Sequence, residues 1–375
     1  MMNGKQLAVL IWDFLFVLAL FCPTGYALER PGTIAEAVAA MSLDDRIAQR
    51  MMLGFNGTTL SSPFRQYIEK HAVGGFILFR HNLHRGADSI GKLTADIQAA
   101  SMKRATDFPA LIAVDLEGGI IKRFPPDVLH FPSARQLGMI NNPGEVRAIY
   151  AQTARKIHSL GINMNLAPVL EPCGRVMQTR VFDCVVERIA ETGSIFIQSF
   201  QNEGVVCTAK HFPGNAGVDP DKQLGRMEGS LADYKKTIFL PFRRAIQESV
   251  GAIMVSHVYL ADVDEEMPAT LSEKVMEGLL RQDMGFDGVI ITDDLLASSS
   301  RGRVLEPLCS VPESVIRAIL SGADIIMLSD AGFAPAVHGA IREAVIAKRI
   351  SEGQLNAGVE RILKLKARFK MRDNR

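Results

Sequence analysis

From residue 50 onward the chain alternates short apolar runs with longer stretches of helical period. The runs are Met51–Phe55, Gly74–Phe79, Ala110–Asp115, Ile162–Pro168, Val205–Phe212, Ala252–Val258, Gly288–Asp294 and Ala323–Ser329. Each has strand length and is predominantly apolar, which is how strands buried on both faces read. Between them lie Asn142–Leu160, Val185–Glu203, Leu231–Ser249 and Glu313–Ser321, whose apolar residues recur at three and four positions. Eight strands joined by helical crossovers predict an α/β fold of the (β/α)8 TIM-barrel type, in a single domain. No Gly-rich dinucleotide fingerprint follows the first run, which disfavours an open doubly wound sheet. A basic helix over Gln354–Met371 follows the last strand and leaves no room for a second large domain.

In such a barrel, polar residues at the C-terminal ends of the strands face the active site. That rule selects Arg80-His81-Asn82 after strand two, Asp115 after three, Lys210-His211 in five and His257 in six. It also selects Asp293-Asp294 after strand seven and Ser329-Asp330 after eight. A lone Asp or Asn after a strand is often a turn former, but six polar strand ends describe a pocket suited to a ligand rich in hydroxyls. His257 reads as a satisfied core histidine, and Asp294 as a cap for the helix expected after strand seven.

The first 27 residues break the pattern. A polar start with one Lys leads into the apolar run Gln6–Phe21, and Gly25-Tyr26-Ala27 offers small residues for cleavage. This predicts a secretory signal over 1–27, the barrel domain over 28–375, an exported product, periplasmic or secreted, and no stable membrane insertion of the mature chain. With 42 basic and 41 acidic residues the chain has no field to hold polyanions, so nucleic acid is excluded as a partner in favour of a small, nearly neutral molecule. Of five cysteines, four remain after cleavage, and Cys173 and Cys184 are either a disulfide pair or two thiols. No Cys/His spacing calls for a metal.

Five segments carry a family resemblance. They are Val114-Asp115-Leu116-Glu117-Gly118-Gly119-Ile120-Ile121-Lys122-Arg123-Phe124, Asn163-Met164-Asn165-Leu166-Ala167-Pro168-Val169, Lys210-His211-Phe212-Pro213-Gly214, Pro268-Ala269-Thr270-Leu271-Ser272 and Gly285 to Leu295. In this order and spacing the chain resembles glycoside hydrolase family 3, in its single-domain β-N-acetylhexosaminidases, from about residue 40 to the end. The resemblance implies retaining hydrolysis of a terminal β-linked N-acetylglucosamine, as in peptidoglycan turnover, without a metal or organic cofactor. It places the nucleophile on Asp293, where a carboxylate could form a glycosyl-enzyme. It places sugar binding on Asp115, Arg123, Arg180, Lys210 and His211; the two arginines read equally well as structural ion-pair partners.

One loop departs from the family pattern. Members of the subfamily follow Lys-His-Phe-Pro-Gly with His-Gly and then with Asp-Ser-His, whose His is the acid/base and whose Asp orients it. Here the pair is Asn215-Ala216 and the triplet is Asp221-Lys222-Gln223. A His near its pKa contributes about 10² to 10⁴ in rate, and the amide of Gln223 has no useful pKa. Three readings follow: a glycosidase using Asp219, Asp221 or Glu228 instead; a catalytically attenuated amino-sugar-binding protein; or a transferase or phosphorylase variant whose anionic acceptor needs no deprotonation.

Overall fold

The structure is a computed structural model that describes residues 33–103, 108–121, 123–174, 176–219, 222–300 and 302–371. The segment read as a secretory signal and Asp221 lie outside the described residues.

Each of the eight apolar runs supplies one strand of a parallel sheet. These are β1 (Met51–Gly54), β2 (Gly75–Leu78), β3 (Leu111–Val114), β4 (Met164–Asn165), β5 (Val206–Phe212), β6 (Ala252–Val255), β7 (Val289–Thr292) and β8 (Ile326–Leu328). Neighbours in sequence are neighbours in the sheet, and β8 pairs with β1 in the register Met51 to Ile326. Closure is completed between β7 and β8, where Thr292 N donates to Ile325 O at 3.0 Å and Ile325 N to Ile290 O at 3.0 Å. The result is a closed barrel with no free edge.

Strand alternation sorts the apolar residues into two cores. Met52, Ile77, Leu111, Met164, Val206, Met254, Ile291 and Met327 point inward and pack together. Their chain neighbours Leu53, Phe76, Ile112, Cys207, Ile253, Ile290 and Leu328 face the helices. The C-terminal helix Glu352–Arg368 lends Ile362 and Leu365 to the inner cluster, so it plugs the barrel at the N-terminal ends of the strands. At that end Asp324 is 1% exposed; its Oδ2 accepts from Arg281 Nη2 at 2.6 Å and from Ile290 N at 2.8 Å, and its Oδ1 from Arg361 Nη1 at 3.0 Å.

Three local expectations need correction. Leu231–Ser249 is two helices, Leu231–Lys236 and Leu240–Gln247, because Pro241 lacks an N–H and fits only in a helix's first turn. The run Ala252–Val258 divides: β6 ends at Val255, and Val258–Leu260 pairs in parallel with Gly225–Met227 outside the barrel. No helix follows β7 directly; a hairpin of Ser298–Ser299 and Gly302–Arg303 does, and the next helix is Val311–Leu320. Among the described residues no helix is long and apolar enough to cross a membrane.

Candidate active site

The strand ends β3, β5 and β7 converge on a cavity of about 280 Å³ lined by Asp115, Glu117, Arg123, Arg180, Lys210, His211, Asp293, Asp294 and Ser329 over an apolar floor of Ile77, Met254 and Met327. The floor is the upper layer of the barrel core, so the polar residues stand on packed hydrocarbon.

Asp115 directly follows β3, and Glu117 is two residues on, on the same side of the extended chain. The chain then turns through Gly118, at φ 83°, where an added Cβ would lie 2.0 Å from Pro132 O. Only glycine fits that approach, and the turn brings Arg123 back to Asp115, with Nη2 to Oδ2 at 2.8 Å.

Lys210 comes from β5 on the far side of β4. Its Nζ lies 2.8 Å from Asp115 Oδ1 and 2.8 Å from Glu117 Oε1, and its side chain is 3% exposed. Arg180 completes the cluster with a two-pronged bond to Glu117, Nε to Oε2 at 2.6 Å and Nη2 to Oε1 at 2.9 Å. Three cations thus bracket two buried carboxylates. Burial alone would raise both carboxyl pKa values, but Lys210 with Arg123 overrides it at Asp115, and Lys210 with Arg180 at Glu117, holding both below their ordinary values. Burial would likewise lower Lys210, yet the two carboxylates raise it. Asp115, Glu117, Arg180 and Lys210 are therefore charged at neutral pH.

His211 is held differently. Its backbone N donates to Glu171 Oε1 at 3.0 Å and its Nδ1 lies 2.7 Å from the same oxygen. A carboxylate only accepts, so Nδ1 carries the proton and the ring is fixed in the cavity wall. The loop that presents Arg180 is closed by the disulfide Cys173–Cys184.

Asp293, first residue after β7, is 6% exposed, and its Oδ2 is buried without a hydrogen-bond partner among the described residues. Asp294 caps no helix, which corrects the expectation above. Its Oδ1 accepts from Leu296 N at 3.1 Å and Ser329 N at 3.0 Å, strapping β7 to β8 beside the pocket, and burial raises its pKa. His257 is a satisfied core residue, between Thr270 Oγ1 at 2.8 Å and Asp294 O at 2.9 Å. The polar residues after β2 stay out of the cavity: His81 Nε2 and Asn82 Nδ2 reach Phe55 O at 3.0 and 2.9 Å and brace the neighbouring loop.

Of the acid/base candidates, the described ones, Asp219, Gln223 and Glu228, do not line the cavity around Asp293. Gln223 is exposed, and its backbone N donates to Asp219 O at 3.1 Å. Asp219 Oδ2 lies 2.9 Å from Lys222 Nζ, and exposed Glu228 pairs with Arg226 at 2.9 Å.

Residues 42–365 match the model for the glycosyl hydrolase family 3 N terminal domain. The chain belongs to glycosyl hydrolase family 3. It is 31% identical over 287 residues to a beta-hexosaminidase of Idiomarina loihiensis, covering 74% of this chain and 83% of that one. It superposes on a family 3 beta-N-acetylglucosaminidase from Paenibacillus sp. with TM-score 0.83 and 34% identity, over 88% of this chain and 63% of that chain. A beta-N-acetylhexosaminidase from Beutenbergia cavernae matches with TM-score 0.79 and 25% identity, over 88% of this chain and 99% of that chain. Within this family 3 barrel, sequence reasoning missed Glu117, which lines the pocket, and Glu171, which holds His211 from behind the pocket wall. Glu117 stood inside the third-strand motif, and its contacts give it the same standing as Asp115.

Proposed function

We propose that this protein is a retaining β-N-acetylhexosaminidase that removes terminal β-linked N-acetylglucosamine from peptidoglycan fragments or related glycosides. The observation that carries this reading is the buried, unpartnered Oδ2 of Asp293 in a cavity whose other walls are hydrogen-bonding groups. In the first step this oxygen bonds to the anomeric carbon while the glycosidic C–O bond breaks and its electron pair leaves with the aglycone oxygen. In the second, water attacks the same carbon, the bond to Asp293 breaks, and the proton the water loses balances the one the aglycone oxygen takes up. Asp115, Arg123, Arg180, Lys210 and His211 hold the sugar's hydroxyls, with Glu117 fixing two of the cations.

A second reading, a catalytically attenuated amino-sugar-binding protein, is favoured by the position of Gln223, exposed and away from Asp293. The two part on leaving groups. A glycosidase with its own proton donor cleaves a disaccharide rapidly; without a donor, only aryl glycosides with acidic phenols form the glycosyl-enzyme. Both substrates are to be measured with the unaltered protein and with Gln223→His. Disaccharide cleavage by the unaltered protein would exclude the attenuated reading, and no glycosyl-enzyme on Asp293 from any aryl glycoside would exclude the proposed one.

The Cys173–Cys184 disulfide supports an oxidising compartment, and with it a secretory segment over 1–27, a barrel domain over 28–375 and a periplasmic or secreted location.

A further inference from the structure

Beside the sugar cavity lies a second and larger one, of about 480 Å³, whose character is opposite. Met177, Val218, Met227 and Ile238 give it mostly carbon walls. It shares two wall segments with the first cavity. In the disulfide-closed loop, Met177 lines the second cavity and Arg180 the first; after β5, His211 lines the first and Asn215 the second. The hydrogen bond from His211 to Glu171, itself a lining residue of the second cavity, marks the partition.

Asn215 is the polar feature of this apolar space. It is 4% exposed; its Nδ2 rests 3.6 Å from Met177 Sδ, and its Oδ1 is buried with no hydrogen-bond partner among the described residues. A thioether is a weak acceptor, and an orphaned buried carbonyl costs about 1–3 kcal/mol until a donor reaches it. Of the charged residues at this wall, Arg226 and Glu228 are exposed and paired with each other at 2.9 Å, and Glu171 is held by His211 at 2.7 Å, so a charged ligand group finds no free counter-charge there.

We propose that the second cavity receives the aglycone, and that it selects a neutral, apolar group, aryl or alkyl, carrying one N–H or O–H that donates to Asn215 Oδ1. This rests on the glycosidase reading and narrows its substrates away from peptidoglycan fragments whose aglycone bears a free carboxylate, toward related neutral glycosides. Carboxylate-bearing aglycones are disfavoured, because Glu171 borders the cavity and a buried anion would lie there unpaired.

The test uses N-acetylglucosamine β-aryl glycosides of matched phenol acidity, with a ring N-methylcarboxamide, an N,N-dimethylcarboxamide or a carboxylate. The unaltered protein should prefer the N-methylcarboxamide by about tenfold in kcat/KM over the dimethyl form, which lacks the donor. Asn215→Leu should abolish that preference, and Ile238→Trp, which fills the cavity, should raise KM for both amides without changing the affinity for free N-acetylglucosamine. Binding of the free phenol N-methylcarboxamide, followed by ligand-observed NMR, gives a readout independent of turnover. Phenol binding lost in Ile238→Trp and in Asn215→Leu, with no glycoside cleaved by any form, would support the cavity and overturn the glycosidase reading instead. Cleavage of all three glycosides at equal rates, unchanged in Ile238→Trp, would overturn this proposal and leave that reading intact.

Discussion

The backbone N–H of Asp294 donates to Oδ1 of Asp293 at 2.9 Å, so one oxygen of Asp293 is anchored and the other, Oδ2, is left over. The anchor fixes the carboxylate's rotation and leaves the remaining oxygen free for the nucleophile's role proposed above. Asp293→Ala should therefore reduce aryl-glycoside cleavage by about 10⁴-fold or more. Azide added to the variant should restore turnover and give the α-glycosyl azide, the product of a single displacement. Measured rates within tenfold of the unaltered protein would remove Asp293 from the mechanism.

Lys210 offers a second test, because one ammonium serves two buried carboxylates. Lys210→Met should destabilise the fold by about 3–5 kcal/mol and abolish sugar binding. The pH dependence has a defined sign. Asp115 and Glu117 sit below their ordinary 3.8 and 4.5, so their contribution is fully present above those values and is lost as pH falls through the lower folded ones. In the variant both carboxyls lose a counter-charge and protonate more readily. The stability gap between the two proteins should therefore hold steady from pH 7 to about pH 5 and narrow as the pH falls below 4.5, as read from urea midpoints.

Lys366 is a buried lysine that pairs with no carboxylate among the described residues. It is 0% exposed, its Nζ donates to Gln49 Oε1 at 3.0 Å, and burial lowers its pKa from 10.5 to about 7. Between those values the unfolded chain holds a proton that the folded chain has lost, so raising the pH from 7 toward 10 favours folding. Lys366→Met should remove that slope. Thermal scans of both proteins across this interval would decide it, and parallel curves would place Lys366 in contact with water.

Asp324 tests the opposite end of the barrel. Its carboxylate, just before β8, is tied to β7 through Ile290, to the helix Lys274–Asp283 through Arg281 and to the C-terminal helix through Arg361. Asp324→Ala strands two arginines and should cost about 3–5 kcal/mol. Titration with N-acetylglucosamine should show an unchanged Kd while the protein is folded, because the site lies at the other mouth of the barrel.

The barrel was legible because both-face burial leaves strands as bare apolar runs, and each of the eight runs holds its strand. Asp115, Arg123, Arg180, Lys210, His211 and Asp293 were legible as one pocket from strand ends and motif order, and they line one cavity. Glu117 and Glu171 were not, because their meaning lies in partners 63 and 40 residues away, which no local pattern encodes. Asp294 was misread for a related reason. A cap was expected where the chain makes a hairpin, and the strap to Ser329 is a contact between strands. The same limit applies to Gln223: the sequence shows the missing imidazole, while its exposure on the loop is a tertiary fact.

The ion-pair cluster beneath the sugar has a consequence for ionic strength. Dissolved salt screens exposed charges over about 8 Å at 0.15 M, but it cannot enter a layer where Asp115, Glu117 and Lys210 are each under a tenth exposed. The charges proposed to hold the sugar are already paired with one another before any ligand arrives, and the proposed ligand is uncharged. Affinity for the sugar should thus be the same in dilute buffer and in brine.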